Sequence, residues 1–391
     1  MKYKNANIVL PKELIEEIQK YVQGEYLYIP INNQYRMESV TDYKIELVKR
    51  DAHIYTKYLE GMSQKRLSQM YHLSESSIRR IVMKQRNQYQ LTGTKIGKVL
   101  FHWGLENDKV KQIYDTVWQV GDRYVLKVYQ DSEMLERNLN VLNILENMNI
   151  PVGGAIAAID GKQYVTEDGV FYLLSKKLTG SNLVRICNIK ELALQMGEII
   201  ANLHIAFKKC EDTSVFWNNH LLDEMNGWVK QNFEESNWNY IDKESYENIV
   251  SKLTEVSGEL PVQLIHRDIH FGNFLFDHGV FSGYIDFDLS QKNIRIFDIC
   301  YFLLGLLVEK EKFGLTEEQW FEFVKYVFMG YESKLELSEI EKKSVPCVME
   351  CIELLFVSYF NSIDDRACAE SAYGIFKFIE NQEHKIWKSI K

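Results

Sequence analysis

Apolar residues near the front of the chain recur at helical spacing in three short segments. The segments centre on Ile54, Leu67 and Ile78, and each carries an apolar face. Ser63 and Ser74 stand where the N-caps of the second and third segments belong, because a serine hydroxyl accepts a hydrogen bond from a first-turn N–H. The pattern predicts three short helices, the last two joined by a tight connection.

The pattern changes after Val110, where apolar and polar residues alternate. Three strand-like stretches follow (VKQIYDT, VWQV and RYVLKVY), and Gly121-Asp122 between the last two predicts a tight hairpin turn. A helix with leucines on one face is predicted for 132–147, and further strand-like stretches precede a helix-rich remainder. The expected outline is a small lobe rich in strands followed by a large helical lobe.

The length of 391 residues exceeds what one hydrophobic core usually serves, so two or more domains are expected. The longest apolar run, 299–308, is too short to cross a bilayer. The six cysteines form no C-x-x-C pair, which favours buried free thiols in a reducing compartment over disulfides or a zinc site. We therefore expect a cytoplasmic protein with no membrane partner.

Charge is unevenly distributed along the chain. Lys and Arg total 46 against 55 Asp and Glu, a net charge of −9. The segment 49–86 holds nine basic and three acidic residues, a local charge of +6, so the rest of the chain carries −15. A basic segment inside an acidic protein suits contact with phosphates, so the acidic total does not exclude a nucleic-acid partner.

The third predicted helix carries polar residues on the face opposite its apolar stripe. The candidates for contact with DNA bases or phosphates are Ser76, Ser77, Arg79, Arg80 and Lys84. The stretch EGMSQKRLSQMYHLSESSIRRIV resembles the helix-turn-helix of Mor-type transcription activators. The resemblance implies an all-α, DNA-binding domain over residues 1–92, which as a homodimer would read two-fold half-sites. The alternative is a solvated three-helix bundle with an incidental basic face.

The segment LIHRDIHFGNFLFDHGVFSGYIDFDLS carries the candidate chemistry. Asp268 and Asn273 lie five residues apart in a predicted loop, and FLF and GYI can pair as strands behind it. Because a hairpin returns to its starting point, Asp286 is expected beside Asn273. One oxygen from each can hold a divalent cation between nucleotide phosphates, while Asp268 meets a substrate hydroxyl. This set predicts phosphoryl transfer.

The same residues carry a family resemblance. The run 266–268 (HRD) with Asn273 resembles the catalytic loop of protein kinases, and 285–288 (IDFD) stands where kinases have their metal-binding D-F-G. The short loop and Asp288 in place of glycine are similar to the aminoglycoside phosphotransferase and choline kinase group, over residues of about 100–385. The resemblance implies an α+β, bilobal protein-kinase-like fold in a domain over 93–391, with an N-lobe of about 96–175 and a C-lobe of about 178–391.

The resemblance implies a role for each matching residue. Asp268 would be the catalytic base, and Asn273 and Asp286 would be Mg²⁺ ligands. His266 and Asp298 would support the catalytic loop. The strand lysine in YVLKVY, Lys127, would contact the phosphates of ATP.

Two features depart from the family pattern, and the role of a third residue, Asp288, is left open. The position of the glutamate that pairs with the strand lysine is occupied by Asn138, so Glu136 is assigned that role, with Glu133 as an alternative. No G-x-G-x-x-G covers the phosphates, which leaves Thr116 and backbone groups for that task. Asp288 is interpreted either as a second metal contact or as a surface carboxylate.

Two functions follow from these features. The first is an ATP- and Mg²⁺-dependent phosphotransferase that acts on a hydroxyl of a small molecule, such as an aminoglycoside or another amino alcohol or sugar, with an attached DNA-binding domain. The charge of −15 outside the basic segment favours a cationic acceptor. The second is a transcriptional regulator whose kinase-like domain senses a ligand or nucleotide with little or no turnover.

Overall fold

The computed structural model describes residues 54, 57–58, 67, 78–82, 93–114, 116–211 and 216–391. The chain divides into two compact units, Met1–Met62 and Ser63–Lys391. In the predicted DNA-binding segment, Ile78 is helical and buried, whereas Arg79 and Arg80 are helical and exposed. The other three predicted DNA contacts, Ser76, Ser77 and Lys84, lie outside the described residues. The helix-turn-helix domain over 1–92 therefore stays a prediction.

The strand-rich lobe is an antiparallel sheet of five strands in the order β1-β2-β3-β5-β4. The strands are β1 (Val110–Tyr114), β2 (Val117–Val120), β3 (Tyr124–Tyr129), β4 (Val165–Glu167) and β5 (Val170–Lys176). Val120 pairs with Tyr124, which confirms the hairpin predicted at Gly121-Asp122. One face of the sheet packs against helix α1 (Gly93–Leu100) through Trp118 and Leu126.

Helix α2 (Ser132–Asn147) has the predicted bounds. It begins because the Asp131 carboxylate accepts hydrogen bonds from the N–H groups of Glu133 and Met134. Its buried face carries the four predicted leucines (Leu135, Leu139, Leu142 and Leu145) and also Asn138. A polar residue on that face needs a hydrogen-bond partner, and the partner lies at the candidate site.

The second lobe is mostly helical. Its helices are α3 (Ile189–Cys210), α4 (Leu221–Glu224), α5 (Lys230–Glu235), α6 (Lys243–Ser257), α7 (Ile296–Val308), α8 (Lys310–Phe313), α9 (Glu317–Glu332), α10 (Glu339–Ser362) and α11 (Arg366–Ile390). Glycines bring α3 and α9 into backbone contact, since a Cβ at Gly197 would collide with the carbonyl oxygen of Val327. Within the described ranges, α10 alone is long and apolar enough to cross a membrane, and 72% of that apolar window is buried in protein, as in a core helix.

Two small antiparallel pairs hold the segment between α6 and α7. They are β6 (Val262–Ile265) with β9 (Gln291–Ile294), and β7 (Phe274–Asp277) with β8 (Val280–Tyr284). The Tyr284 hydroxyl donates to the carbonyl of Ile199 at 2.8 Å, which ties this hairpin to α3. The expected strand-rich lobe followed by a helical lobe is thus what the chain forms.

The six cysteines all lie within the described residues and carry thiols rather than disulfides, as predicted. Their burial differs from the prediction, because Cys187 and Cys368 are exposed and Cys347 is half-buried, whereas the other three are buried. Cys368 lies near the start of α11, where it borders a cavity described below.

Candidate active site

The loop that follows β6 is held by one buried carboxylate. Asp298, at the start of α7, is fully buried and accepts hydrogen bonds from the backbone N–H groups of His266 (2.8 Å) and Arg267 (2.9 Å). Its third contact is Nε2 of His204, at 3.1 Å. Arg267 has a φ of +74°, a conformation that a non-glycine residue keeps only where its surroundings impose it. Asp298 therefore holds the backbone of the loop at His266 and Arg267.

The loop is also packed from both sides. The Arg267 guanidinium contacts both oxygens of Glu224, at 3.0 and 2.7 Å, and lies over the ring of Phe297. The His266 ring packs against Phe287 and places Nε2 3.2 Å from the carbonyl oxygen of Ile285. His266 thus stabilises the loop through packing and hydrogen bonding.

Asp268 lies at the centre of the loop and makes contacts on both carboxylate oxygens. Oδ1 accepts a hydrogen bond from the Tyr301 hydroxyl at 2.8 Å, and Oδ2 accepts one from Nδ2 of Asn273 at 3.0 Å. Burial raises the pKa of Asp268, but His270, with Nε2 3.6 Å away, and Tyr301 outweigh it and lower the pKa to about 2. An ionised carboxylate in this position can accept a hydrogen bond from an acceptor hydroxyl.

The predicted hairpin brings Asp286 next to Asn273. Phe274 pairs with Tyr284, and the N–H of Ile285 donates to the carbonyl of Asn273 at 3.1 Å. Both hydrogen bonds of the Asn273 amide nitrogen go to Asp268, and no described residue donates to its Oδ1. Asp286 has a φ of +65° and is 49% exposed. Oxygen atoms of both side chains are therefore available to a cation.

The strand lysine contacts two carboxylates. Nζ of Lys127 lies 2.7 Å from Oδ1 of Asp286 and 2.7 Å from Oδ2 of Asp288. Burial alone would lower the pKa of Lys127, but Tyr129 and the two carboxylates outweigh it and raise the pKa above its usual range. The lysine is therefore charged and lies beside the candidate cation site.

The structure does not pair this lysine with Glu136, the residue predicted for that role. Glu136 is exposed and lies against the Tyr164 hydroxyl, at 3.4 Å. Asp288 contacts the lysine instead, although it was expected to contact a metal or solvent. The helical phase explains the difference, because Glu136 lies on the solvent side of α2, whereas Asn138 is on the buried side.

Asn138 takes part in a chain of contacts that sequence reasoning missed. Its Nδ2 donates to the Tyr129 hydroxyl, which donates to Oδ1 of Asp288 at 3.1 Å. Asp288 in turn contacts Lys127, and its pKa is raised mainly by burial. Successive contacts from Asn138 to Tyr129 and from Tyr129 to Asp288 therefore connect α2 to Lys127. The sequence did indicate this residue, because Asn138 stands at the position where the family has the glutamate that pairs with the strand lysine.

The remaining predicted nucleotide contact, Thr116, lies in the connection between β1 and β2. Its carbonyl accepts a hydrogen bond from the N–H of Val128 at 2.9 Å, which anchors this connection to β3 next to Lys127. The connection therefore lies beside β3 and is hydrogen-bonded to the residue that follows Lys127.

A cavity of about 330 Å³ adjoins Asp268. Its wall comes from the loop, from α7 and its C-terminal end, and from α10 and α11; the lining residues are His270, Tyr301, Leu304, Gly305, Val308, Glu309, Glu353, Phe356, Phe360, Cys368, Ser371, Ala372 and Ile375. Tyr301 and His270 line the cavity and also contact Asp268. Sequence reasoning did not find this wall, because its residues lie on helices far apart in the chain.

The fold and the site together identify the class of protein to which this chain belongs. A solved structure of the amicoumacin kinase hAmiN, in complex with AMP-PNP, Ca²⁺ and Ami, superimposes with a TM-score of 0.60 at 16% identity, covering 75% of this chain and 95% of that one. This likeness confirms the bilobal kinase-like fold. The sequence model of the phosphotransferase enzyme family (APH) matches residues 100–339, more than half of the chain. The chain therefore belongs to the phosphotransferase enzyme family, which confirms the prediction of a phosphotransferase.

Two curated proteins resemble parts of the chain. The uncharacterized protein YraL of Bacillus subtilis (strain 168) is 37% identical over 84 residues, which are 21% of this chain and 97% of that protein. The homoserine kinase of Phenylobacterium zucineum (strain HLK1) is 33% identical over 98 residues, which are 25% of this chain and 28% of that protein. The chain thus spans less than a third of this homoserine kinase, and neither match confirms the predicted helix-turn-helix.

Proposed function

We propose that the chain transfers the γ-phosphoryl group of ATP to a hydroxyl group of a small molecule, with Mg²⁺ bound by Asn273 and Asp286. One observation carries the proposal. The hairpin that follows the catalytic loop brings Asp286 beside Asn273, whose amide nitrogen donates to Asp268. A candidate base, two candidate metal ligands and a phosphate-binding lysine thus meet in one place.

The side chains available to a metal fit Mg²⁺. Asn273 and Asp286 offer oxygen atoms, which hard divalent cations prefer. The described part of the chain holds no group of three or more His, Cys, Asp or Glu side chains that could bind a metal by themselves. Two protein ligands suit Mg²⁺, which usually keeps waters and takes further oxygens from the phosphates of its nucleotide. Held by Asn273 and Asp286, the metal would neutralise charge that develops on the transferred group.

The other residues bind and orient the reactants. Lys127 supplies a positive charge to the phosphates, and Asp288 holds it in place. Thr116 directly precedes β2, which pairs with the strand of Lys127. Thr116 and the backbone around it are proposed to cover the phosphates. Asp268 holds the acceptor hydroxyl and takes its proton while the acceptor oxygen bonds to the γ-phosphorus and the bond to the β,γ-bridging oxygen breaks.

Turnover tests this function directly. Purified protein is incubated with ATP, Mg²⁺ and a panel of amino alcohols, sugars and aminoglycosides, and ADP formation is measured. We expect acceptor-dependent ADP formation that Asp268→Asn abolishes and Asp277→Asn, a hairpin carboxylate outside the site, does not. Equal ADP formation by wild type and Asp268→Asn would contradict the proposal.

For the front of the chain, DNA binding through the predicted helix is proposed as an additional function. The exposure of Arg79 and Arg80 beside the buried Ile78 supports it, as does the local charge of +6 over 49–86. Binding is tested with a fragment library at increasing salt, because release of counterions weakens phosphate contacts as salt rises. Retention that is insensitive to salt and to Arg79→Ala would contradict DNA binding.

One contact favours a regulator that senses its acceptor. Nη1 of Arg80 lies 3.4 Å from the hydroxyl of Tyr359, which precedes the cavity-lining Phe360 on α10. A ligand in the cavity could therefore alter this contact and with it the DNA affinity. The measurement is DNA affinity with and without an acceptor that is phosphorylated. An unchanged affinity, in the wild type and in Tyr359→Phe, would contradict coupling.

A further inference from the structure

The cavity beside Asp268 has a wall that is mainly apolar. Side chains from α7, α10 and α11 form it, chiefly Leu304, Val308, Phe356, Phe360 and Ile375. Apolar atoms make up most of the wall surface, and the polar residues that border it are His270, Tyr301, Glu309, Glu353, Cys368 and Ser371. An acceptor with many hydroxyl groups would leave most of them without partners in the cavity, which disfavours binding. An acceptor with a hydrocarbon or aromatic body would fill the same space without that penalty.

One acidic side chain lines this wall and has no partner among the described residues. Glu353 of α10 is 3% exposed and lines the cavity, and no described residue forms a hydrogen bond or ion pair with it. The second glutamate of the cavity, Glu309, differs because Lys312 contacts it at 2.7 Å. Buried carboxyl groups are usually paired, so an unpaired one in a ligand cavity indicates a missing ligand group.

Glu353 lines the same cavity as Tyr301, whose hydroxyl donates to Asp268. Tyr301 thus borders both the cavity and the catalytic loop. A ligand that extends from Asp268 past Tyr301 would enter the cavity that Glu353 lines. Burial raises the pKa of the Glu353 carboxyl to about 8, so a nearby positive charge would favour its ionised form.

We propose that the acceptor is an amphipathic amino alcohol, with its hydroxyl at Asp268, an apolar body along α7 and α11, and a basic nitrogen at Glu353. This inference rests on the proposed phosphotransferase function and assigns the acceptor class of that site. The cavity volume of about 330 Å³ is at the small end of the range for ligand pockets, which suits a compact molecule. Glu353 is thereby the residue that determines specificity for an amine.

The test measures binding and turnover separately, because binding does not require catalysis. Aryl and alkyl amino alcohols are titrated calorimetrically into full-length protein beside their analogues that lack the nitrogen, and beside kanamycin as a polyhydroxylated amine. The variants are Glu353→Gln and Glu350→Gln. Glu350 is the matched control, since it is a buried glutamate one turn earlier on α10 that does not line the cavity.

We expect the wild type to bind the amino alcohols about 30-fold more tightly than their neutral analogues, as a buried charge pair allows. Glu353→Gln should reduce this ratio to about threefold, whereas Glu350→Gln should leave it unchanged. Kanamycin should bind more weakly than the amphipathic amines. An unchanged ratio in Glu353→Gln, or tighter binding of kanamycin, would overturn the acceptor class.

Turnover distinguishes failure of this inference from failure of the proposed function. Phosphorylation of kanamycin or a neutral sugar, with no binding of amphipathic amines, would overturn the acceptor class and leave the phosphotransferase function intact. Glu353-dependent binding of the amines without ADP formation would support the acceptor class and contradict turnover.

Discussion

The two ends of the candidate site differ in how their charges are compensated. At the phosphate end, Lys127 lies 2.7 Å from each of two carboxylates, and Asp288 has Tyr129 behind it. At the acceptor end, Glu353 is buried with no partner among the described residues. The charges at the proposed phosphate end are therefore paired within the protein, whereas the proposed acceptor end holds a buried carboxyl group that no described residue pairs with. On the proposed function, the paired charges hold the groups that every turnover uses, and the unpaired carboxyl group selects the acceptor.

The largest effect on activity is expected from a substitution of Asp268, which lies between the two ends of the candidate site. Asp268→Asn removes the negative charge that accepts the hydroxyl proton, while an amide can keep the contacts with Tyr301 and Asn273. We expect kcat to fall by about 10²- to 10⁴-fold, the usual contribution of a general base. Nucleotide binding, measured by calorimetry, should change little. A variant that retained most of its kcat would assign the hydroxyl to another base.

A variant of the phosphate end should leave the acceptor end intact. Lys127→Met removes the charge that lies beside Asp286, and we expect kcat/KM for ATP to fall by about 10²-fold. Amine binding at Glu353 should stay within about twofold of the wild type, since the sites do not share a contact. The control is Lys111→Met, an exposed lysine on the same sheet. Loss of amine binding in Lys127→Met would show that the two ends are not independent.

A smaller effect is expected from the contacts behind the lysine. Asn138→Leu keeps the size of the side chain but removes the donor to Tyr129, so Asp288 and Lys127 lose part of their support. We expect KM for ATP to rise about 3- to 10-fold, because a positioning residue acts through its neighbours. KM for the acceptor should not change. Asn143→Leu, on a more exposed face of α2, is the control, and an equal effect there would contradict a specific role for Asn138.

The smallest effect concerns stability and pH. Burial raises the pKa of Glu353 to about 8 and that of Glu350 to about 7, both above the ordinary value of 4.5. The folded chain thus holds protons that the unfolded chain releases, so these groups add stability below about pH 4.5 that is lost as pH rises through 7 and 8. The groups that share the cavity with Glu353 are Tyr301, Glu309, His270 and Cys368.

Glu353→Gln should make the free energy of unfolding less dependent on pH between 5 and 8, because the variant has no carboxyl group at this position to titrate. Urea titrations at several pH values measure this. Because a nearby cation favours the ionised carboxylate, a saturating amino alcohol should raise the stability at pH 8 more in the wild type than in Glu353→Gln. An identical pH dependence in wild type and variant would show that Glu353 does not titrate in this range.

Local features of the site were predictable from sequence. Gly121-Asp122 marked the first hairpin, the leucine spacing marked α2, and the spacing of Asp268, Asn273 and Asp286 indicated that a hairpin would bring them together. These predictions succeeded because turns, caps and hairpins depend on residues that are close in the chain. The partner of Lys127 was predicted wrongly, since the orientation of α2 against the sheet decides whether Glu136 or Asn138 faces inward.

The sequence by itself determined the catalytic loop, the hairpin behind it, the strand that carries Lys127 and membership of the phosphotransferase family. Tertiary structure alone decided which groups surround them. The burial of Glu353 and the apolar wall beside it arise where α7, α10 and α11 pack together, and residues far apart in sequence meet there. Burial is a property of the packed molecule, because exclusion of water depends on every neighbouring element at once. For this reason phosphoryl transfer could be predicted from the chain, whereas the apolar cavity and the buried carboxyl group in its wall required the fold.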